Sequence, residues 1–442
     1  MGVLQWFTGL PPPQLCYGPL GLATLPSPQG GGGQEPRYRL RIQGHSLVNK
    51  ENNMTQSLRS RVRAMLHGIA LGDALGAPVE KLSAADIRQR YGRVTSLGTE
   101  WHKMSLDAAA RNGRVRGNGI VTDDTLMTLA LMDVYGDAKR HLDAWDMAGG
   151  MVREIAWKPR WVPELQREAM LIDRLFYPEK WIFQRHQLAN CDPRQGGIGN
   201  MVNCGAAMYI APIGVVNAAN PKAAYDEAIA FAAGHQESYG LEAAGVMAAA
   251  VAAAFAPGAS IDNIVDVVLG LAKDGTRNAI ADIAGIARAL RGTGADHAKV
   301  CEAFHGAIAR YSVMGDDVNH SEEKAGRLTD AYRPSRLMAI EELPLALGFC
   351  LVNDGDFRRS IEDGINSGRD TDSIGVMAGA ILGALHGEAV IGAKDGALLD
   401  SANRLDLMGS ADAFAATATT ILAADRAAAD ARRDALGALG IA

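Results

Sequence analysis

Two short acidic runs hold the residues best suited to chemistry. Thr122-Asp123-Asp124-Thr125 stands just before one apolar stretch, and Arg369-Asp370-Thr371-Asp372-Ser373 just before another. Their four carboxylates, with hydroxyls such as those of Thr122 and Ser373, are all hard oxygen donors. Gathered in one place, such a set forms a cage for Mg²⁺ or Mn²⁺, and less selectively for Ca²⁺. Four carboxylates crowded without cations repel one another strongly. Two metals sharing the set can orient a water or the hydroxyls of a substrate. Each run alone also reads as an ordinary helix cap. Thr, Asp and Ser are common N-cap residues, and carboxylates favour the positive end of a helix dipole. The runs lie far apart in the chain, so the cage exists only if the fold brings two helix starts together.

The elements that must do so are helices. Residues 57–71 place Leu58, Val62, Met65, Leu66 and Ile69 on one face at spacings of three and four. Gly72, Gly76 and Pro78 are expected to break that helix. Further helices are predicted over 125–134, 223–233, 241–255, 261–271, 279–290, 298–309, 337–352, 357–365 and 374–385. An Ala-rich terminal helix is predicted at about 411–439, as a packed or partner-binding element. β-branched alternation is nearly absent, so the expected class is all-α. Residues 157–203 are the least regular part, rich in aromatics (Trp157, Trp161, Phe176, Tyr177 and Trp181) and proline. They read as a binding segment or a packed surface insertion.

Composition sets the outer limits. The chain has 442 residues, 48% hydrophobic and 21% charged, too apolar for a wholly disordered protein. A net charge of −6 leaves no cationic excess for general nucleic-acid binding. Cys16, Cys191, Cys204, Cys301 and Cys350 are scattered, with no CxxC spacing, which suggests neither a zinc site nor a disulfide framework and fits a reducing cytoplasm. The apolar stretches 243–256 and 374–386 fall short of the roughly 20 residues of a membrane span. Residues 1–53 read as a Pro/Gly-rich disordered leader or an over-extended gene start, ahead of one large domain at 54–442. No Walker loop or strand-linked GxGxxG is present, so no nucleotide redox cofactor is implied.

Three motifs in order resemble the ADP-ribosylglycohydrolase superfamily: GIALGDALGAPVE at 68–80, TDDT at 122–125 and GRDTDS at 368–373. The resemblance runs from about Arg61 to about Gly387. It implies an all-α, multi-helix domain with a cleft for two Mg²⁺ or Mn²⁺ ions, cleaving N- or O-glycosidic bonds at the anomeric carbon of a ribose. By position, Thr122, Asp123, Asp124, Asp370, Asp372 and Ser373 would be the metal ligands, with serine at 373 keeping the hydroxyl of the commoner threonine. Asp123 and Asp372 would take part in catalysis. Glu80 falls where several members carry a mobile acidic residue, and could gate the site or transfer a proton. Asp73 is expected to hold the Gly-rich turn together.

Two further segments match less closely. GGIGNMVNCGAAMYIAPIG at 196–214 resembles the family's glycine-rich substrate loop, which implies substrate contacts from Gly199, Asn200, Asn203, Gly205 and Tyr209. Many members have arginine where Tyr209 stands. GHQES at 234–238 supplies His235 where the family usually has a histidine, which implies a substrate contact from His235. The segment 157–203 lacks an obvious counterpart. The leading expectation is a metal-dependent hydrolase of ADP-ribosyl conjugates such as ADP-ribosylated protein. A hydrolase of a smaller, nucleoside-like riboside and a non-catalytic ADP-ribose-binding protein are the alternatives. Neither nucleic acid in general nor a membrane is expected as a partner.

Overall fold

The computed structural model describes residues 57–311 and 340–441. The expected leader at 1–53 and the first residues of the helix expected at 337–352 lie outside them. The chain runs through α1 (Leu58–Gly76), α2 (Ala84–Tyr91), α3 (Asp123–Ala138), α4 (Ala144–Asp146) and α5 (Val152–Ala156). A short hairpin follows, β1 (Pro159–Val162) and β2 (Arg167–Met170), then α6 (Tyr177–Ala189), α7 (Ala211–Val216), α8 (Pro221–Ala232) and α9 (Ser238–Ala254). The second half holds α10 (Ile261–Leu271), α11 (Asp274–Leu290), α12 (His297–Ile308), α13 (Glu342–Val352), α14 (Phe357–Asn366), α15 (Thr371–His386), α16 (Ala393–Asn403) and α17 (Leu407–Ala438). Among the described residues the fold is all-α apart from this antiparallel hairpin, whose register pairs Pro159 with Met170 and Val162 with Arg167.

Helices that are apolar all round lie at the centre, as burial on every side requires. Every residue of α15 from Thr371 to Ala384 is buried, and so is α1 from Met65 to Gly76. α9 and α13 flank them. The amphipathic α10, α11 and α12 bury one face each.

The central pair, α1 and α15, meets antiparallel through glycine. Gly68 faces Gly379, Gly72 faces Gly375, and Gly76 faces the backbone of Thr371 and Asp372. A Cβ built on Gly72 would lie 2.2 Å from the Gly375 carbonyl carbon and oxygen. Gly72 and Gly76 therefore do not break the helix; they let two backbones touch, and α1 continues to Gly76. This contact sets the end of α1 against the start of α15, where the second acidic run begins.

The segment 157–203 is more ordered than expected. It contains the hairpin and α6, and Trp161 of β1 packs under the Arg404 guanidinium, 3.5 Å from the ring centre. Trp157, Phe176 and Trp181 stay exposed. Two helical stretches, Thr371–Val390 and Leu407–Ala438, are long and apolar enough to cross a membrane by length and composition alone. The first includes α15, the central helix of the core, and extends past the 374–386 stretch.

Candidate active site

The two acidic runs meet. Ser373, in the first turn of α15, donates its hydroxyl to Asp124 Oδ1 at 3.0 Å, across 249 sequence positions. Both runs do begin helices, and the Thr122 hydroxyl accepts the Asp124 N–H as an N-cap at 3.4 Å. Asp370 occupies the N-cap position of α15 but makes no capping hydrogen bond there. One oxygen each from Glu80, Asp370 and Asp372 lie within 4.8 Å of one another, a spacing that could hold a metal ion. The structure thus brings Glu80 into the donor group itself.

Local bonds fix each arm. Asp73, in the last turn of α1, accepts the Thr122 N–H at 3.0 and 2.9 Å, the Thr125 N–H at 3.1 Å and the Thr125 hydroxyl at 2.5 Å. It anchors the start of α3 rather than the Gly-rich turn. The Thr371 hydroxyl donates to the Gly76 carbonyl at 2.8 Å, tying α15 to the end of α1. Arg369 just before it has a left-handed backbone, φ 73°, which costs a non-glycine residue energy. Its carbonyl accepts the Lys81 N–H at 2.9 Å and its N–H donates to Leu82 at 3.0 Å. The strand of chain carrying Glu80 is thereby laid alongside the second acidic run.

The bare cluster resists full ionisation. Burial, then repulsion from Asp73, Asp123 and Asp370, pushes the Asp124 carboxyl well above its usual range. Burial, then Glu80 and Asp124, does the same to Asp372. Burial raises Asp123 although Arg174 opposes it. A group of buried oxygen donors with more negative charge than the protein offsets is what hard divalent cations fit.

Two arginines that the sequence did not single out offset part of that charge. Arg116 pairs with Glu80, and Arg174 with Asp123. Both also bind the fully buried Glu164. Burial alone would raise Glu80, but Arg116 and Lys81 outweigh it and hold the carboxyl well below the ordinary range. These residues lie in loops and in the hairpin turn, with no spacing that announces them. Cys204 was also missed as a site residue: its thiol donates to Asp370 Oδ2 at 3.4 Å and to the Ser373 hydroxyl at 3.5 Å.

The glycine-rich loop reaches the acidic cluster through Cys204, while its expected contact side chains turn inward. Tyr209 and His235 are fully buried. His235 Nε2 pairs with Glu179, and Nδ1 lies 2.8 Å from the Tyr209 hydroxyl. Asn203 donates to Glu179 at 3.0 Å and accepts the Gly205 N–H at 2.8 Å. Asn200 donates to the His235 carbonyl at 2.8 Å. These four side chains hold the loop's shape rather than line a cleft. Gly199, φ 85°, is exposed near Trp181, and Gly205 is packed against Glu179 so closely that a Cβ would lie 2.6 Å from Oε1.

Residues 54–426 match the family model described as ADP-ribosylglycohydrolase. The chain is 27% identical over 360 residues to the uncharacterized protein YegU of Escherichia coli (strain K12), covering 80% of this chain and 96% of that protein. An uncharacterized protein of Archaeoglobus fulgidus is 25% identical over 340 residues, covering 74% and 88%. A solved structure titled "ADP-ribosylglycohydrolase-related protein complex" superposes with a TM-score of 0.50 at 19% identity, covering 82% of this chain and 99% of that one. At that identity the likeness shows the fold.

Proposed function

The chain belongs to the ADP-ribosylglycohydrolase family, and from that premise we propose that it is a metal-dependent hydrolase cleaving the glycosidic bond at ribose C1 of ADP-ribosyl conjugates. The observation that carries the reading is the Ser373–Asp124 contact, which joins two oxygen-rich helix starts into one donor set. Thr122, Asp123, Asp124, Asp370, Asp372 and Ser373 would hold two Mg²⁺ or Mn²⁺ ions. Bound there, the ions would supply Lewis acidity and a water of lowered pKa.

The protein's own groups then have separate tasks. The buried carboxylates stabilise positive charge as it grows on the sugar ring during cleavage. Glu80 lies against them with Oε2 on Arg116 and Oε1 3.5 Å from Lys81 Nζ, and from there would take up a proton of the attacking water. The loop around Cys204 forms a neighbouring wall. A cytoplasmic place of action belongs to this proposal, supported by the scattered cysteines of the sequence.

The test is a substrate panel with Mg²⁺ or Mn²⁺: ADP-ribosyl-arginine, ADP-ribosyl-serine, poly-ADP-ribose and free nucleosides. Release of ADP-ribose from a conjugate is the expected result. Release of a base from nucleosides, with no action on conjugates, would replace this reading with the smaller-riboside one. The burial of Tyr209, which has no exposed face for a base to stack on, speaks against that alternative.

A further inference from the structure

A buried charge bridge behind the acidic cluster is unused by the reading above. Glu164 sits in the hairpin turn, fully buried. Its Oε1 accepts from Arg116 Nε at 2.6 Å, and its Oε2 from Arg174 Nε. Each arginine then turns Nη1 to an acidic residue of the site. Arg116 takes Glu80 and stands 4.0 Å from Asp372, while Arg174 takes Asp123 Oδ1. Both arginines are buried. Their own backbone neighbours are held too: the Val115 N–H donates to the Glu164 carbonyl at 2.8 Å, and Arg114 donates to the Arg174 carbonyl at 2.5 Å.

We propose that Arg174, Arg116 and Glu164 are positioning residues of the metal cleft. They orient Asp123 and Glu80 from one shared anchor so that both present an oxygen to a divalent cation. The inference rests on the metal-centre reading. Its physical basis is the planar guanidinium, which donates through Nε and Nη in fixed directions. With Nε held on Glu164, the direction of Nη1 is fixed, and the carboxylate it binds is oriented in turn. Asp123 is held in this way through its Oδ1 by Arg174. The opposing view makes the arginines mere counter-charges that compete with a metal for the same carboxylates. The two views predict opposite signs when Arg174 is changed.

Mn²⁺ binding by titration calorimetry on the full chain separates them, with metal-free Tm measured in parallel. In Arg174→Lys the charge stays but the fork is lost; in Arg174→Gln the charge goes as well. Positioning predicts that both variants bind Mn²⁺ about tenfold or more weakly, the loss usual when a partner orienting a metal ligand is removed. Arg116→Lys, on the other arm and through a different carboxylate, is expected to weaken binding as well. Wild-type affinity in Arg174→Lys, or tighter binding in Arg174→Gln, would overturn the proposal. A lower Tm with unchanged affinity would overturn it equally, since that is what a purely structural bridge gives. Absence of Mn²⁺ binding in the wild type would remove the metal-centre reading and this inference with it. Wild-type binding alongside an unaffected Arg174→Lys would remove this inference alone.

Discussion

The hydroxyl of Ser373 lies 3.0 Å from Asp124 Oδ1, so the N-termini of α15 and α3 share a hydrogen bond. Two helix dipoles point their positive ends at the same place, which favours negative charge there. The dipoles do not offset it fully, because burial and mutual repulsion still push Asp124 and Asp372 well above the usual carboxylate range. Helix geometry thus gathers the acids, and their surplus charge calls for cations.

Asp372→Asn is expected to weaken Mn²⁺ or Mg²⁺ binding by at least about a hundredfold, beyond the range typical for outer partners of a ligand. The metal-free Tm should be equal to or above that of the wild type, because one member of a repelling cluster becomes neutral. Added metal should raise the wild-type Tm, since a ligand at 100 times its Kd stabilises by about 2.7 kcal/mol. That shift should vanish in the variant. A full metal-induced shift in Asp372→Asn would remove it from the ligand set.

Gly72→Ala tests the contact that aligns the two runs. In an ordinary helix this change stabilises by roughly 1 kcal/mol. Here the new Cβ would fall 2.2 Å from the Gly375 backbone. Overpacking of that kind costs about 1–3 kcal/mol or more, so urea unfolding should show net destabilisation. Gly285→Ala in α11 is the control, since nothing lies within 4 Å of its built Cβ. It should be neutral or stabilising.

Tyr209→Phe separates a supporting role from a substrate-binding one. The variant leaves His235 Nδ1 without its partner inside the fold. The expected cost is about 1–3 kcal/mol in unfolding free energy. KM for the best substrate of the panel should stay within about twofold, given that 1.4 kcal/mol of binding corresponds to tenfold. A large rise in KM with unchanged stability would put the hydroxyl in the cleft.

The parts legible in the sequence were those with a short-range signature. The runs at 122–125 and 370–373 announce themselves by residue type, and α10 and the end of α11 follow from apolar spacing alone. Gly72 and Gly76 were misread because glycine both breaks helices and lets them touch; only what faces them, Gly375 and the backbone of Thr371 and Asp372, decides which. The hairpin escaped notice because its strands are four residues each, with Arg160 and Arg167 where β-branched residues would signal a strand. Arg116, Glu164 and Arg174 carry no signature at all, since their meeting depends on how three loops are folded back. His235 matched a family position and Tyr209 stands where many members have arginine, yet the placing of both follows from a partner of His235, Glu179, in a segment without a counterpart motif.

His67 gives a stability signal separate from the acidic cluster. It lies on α1, fully buried, and neither ring nitrogen has a hydrogen-bond partner among the described residues. Burial, with Arg358 nearby, lowers its pKa to about 4, although Asp395 acts in the opposite direction. Arg358 and Asp395 pair with each other at 2.6 Å, so their influences largely cancel. The unfolded chain takes up a proton near pH 6.5, and the folded chain refuses it until about pH 4. Stability from this group is therefore complete above pH 6.5 and declines as the pH falls towards 4. A shift of this size corresponds to about 3 kcal/mol by linkage. The carboxylate cluster titrates too, so the comparison must be a double difference. Urea unfolding of the wild type and of His67→Leu at pH 7 and pH 4.5 supplies it. The wild type should lose about 2–3 kcal/mol more than the variant between the two pH values. Equal losses would mean that His67 is protonated in the folded protein and has found a partner for its charge.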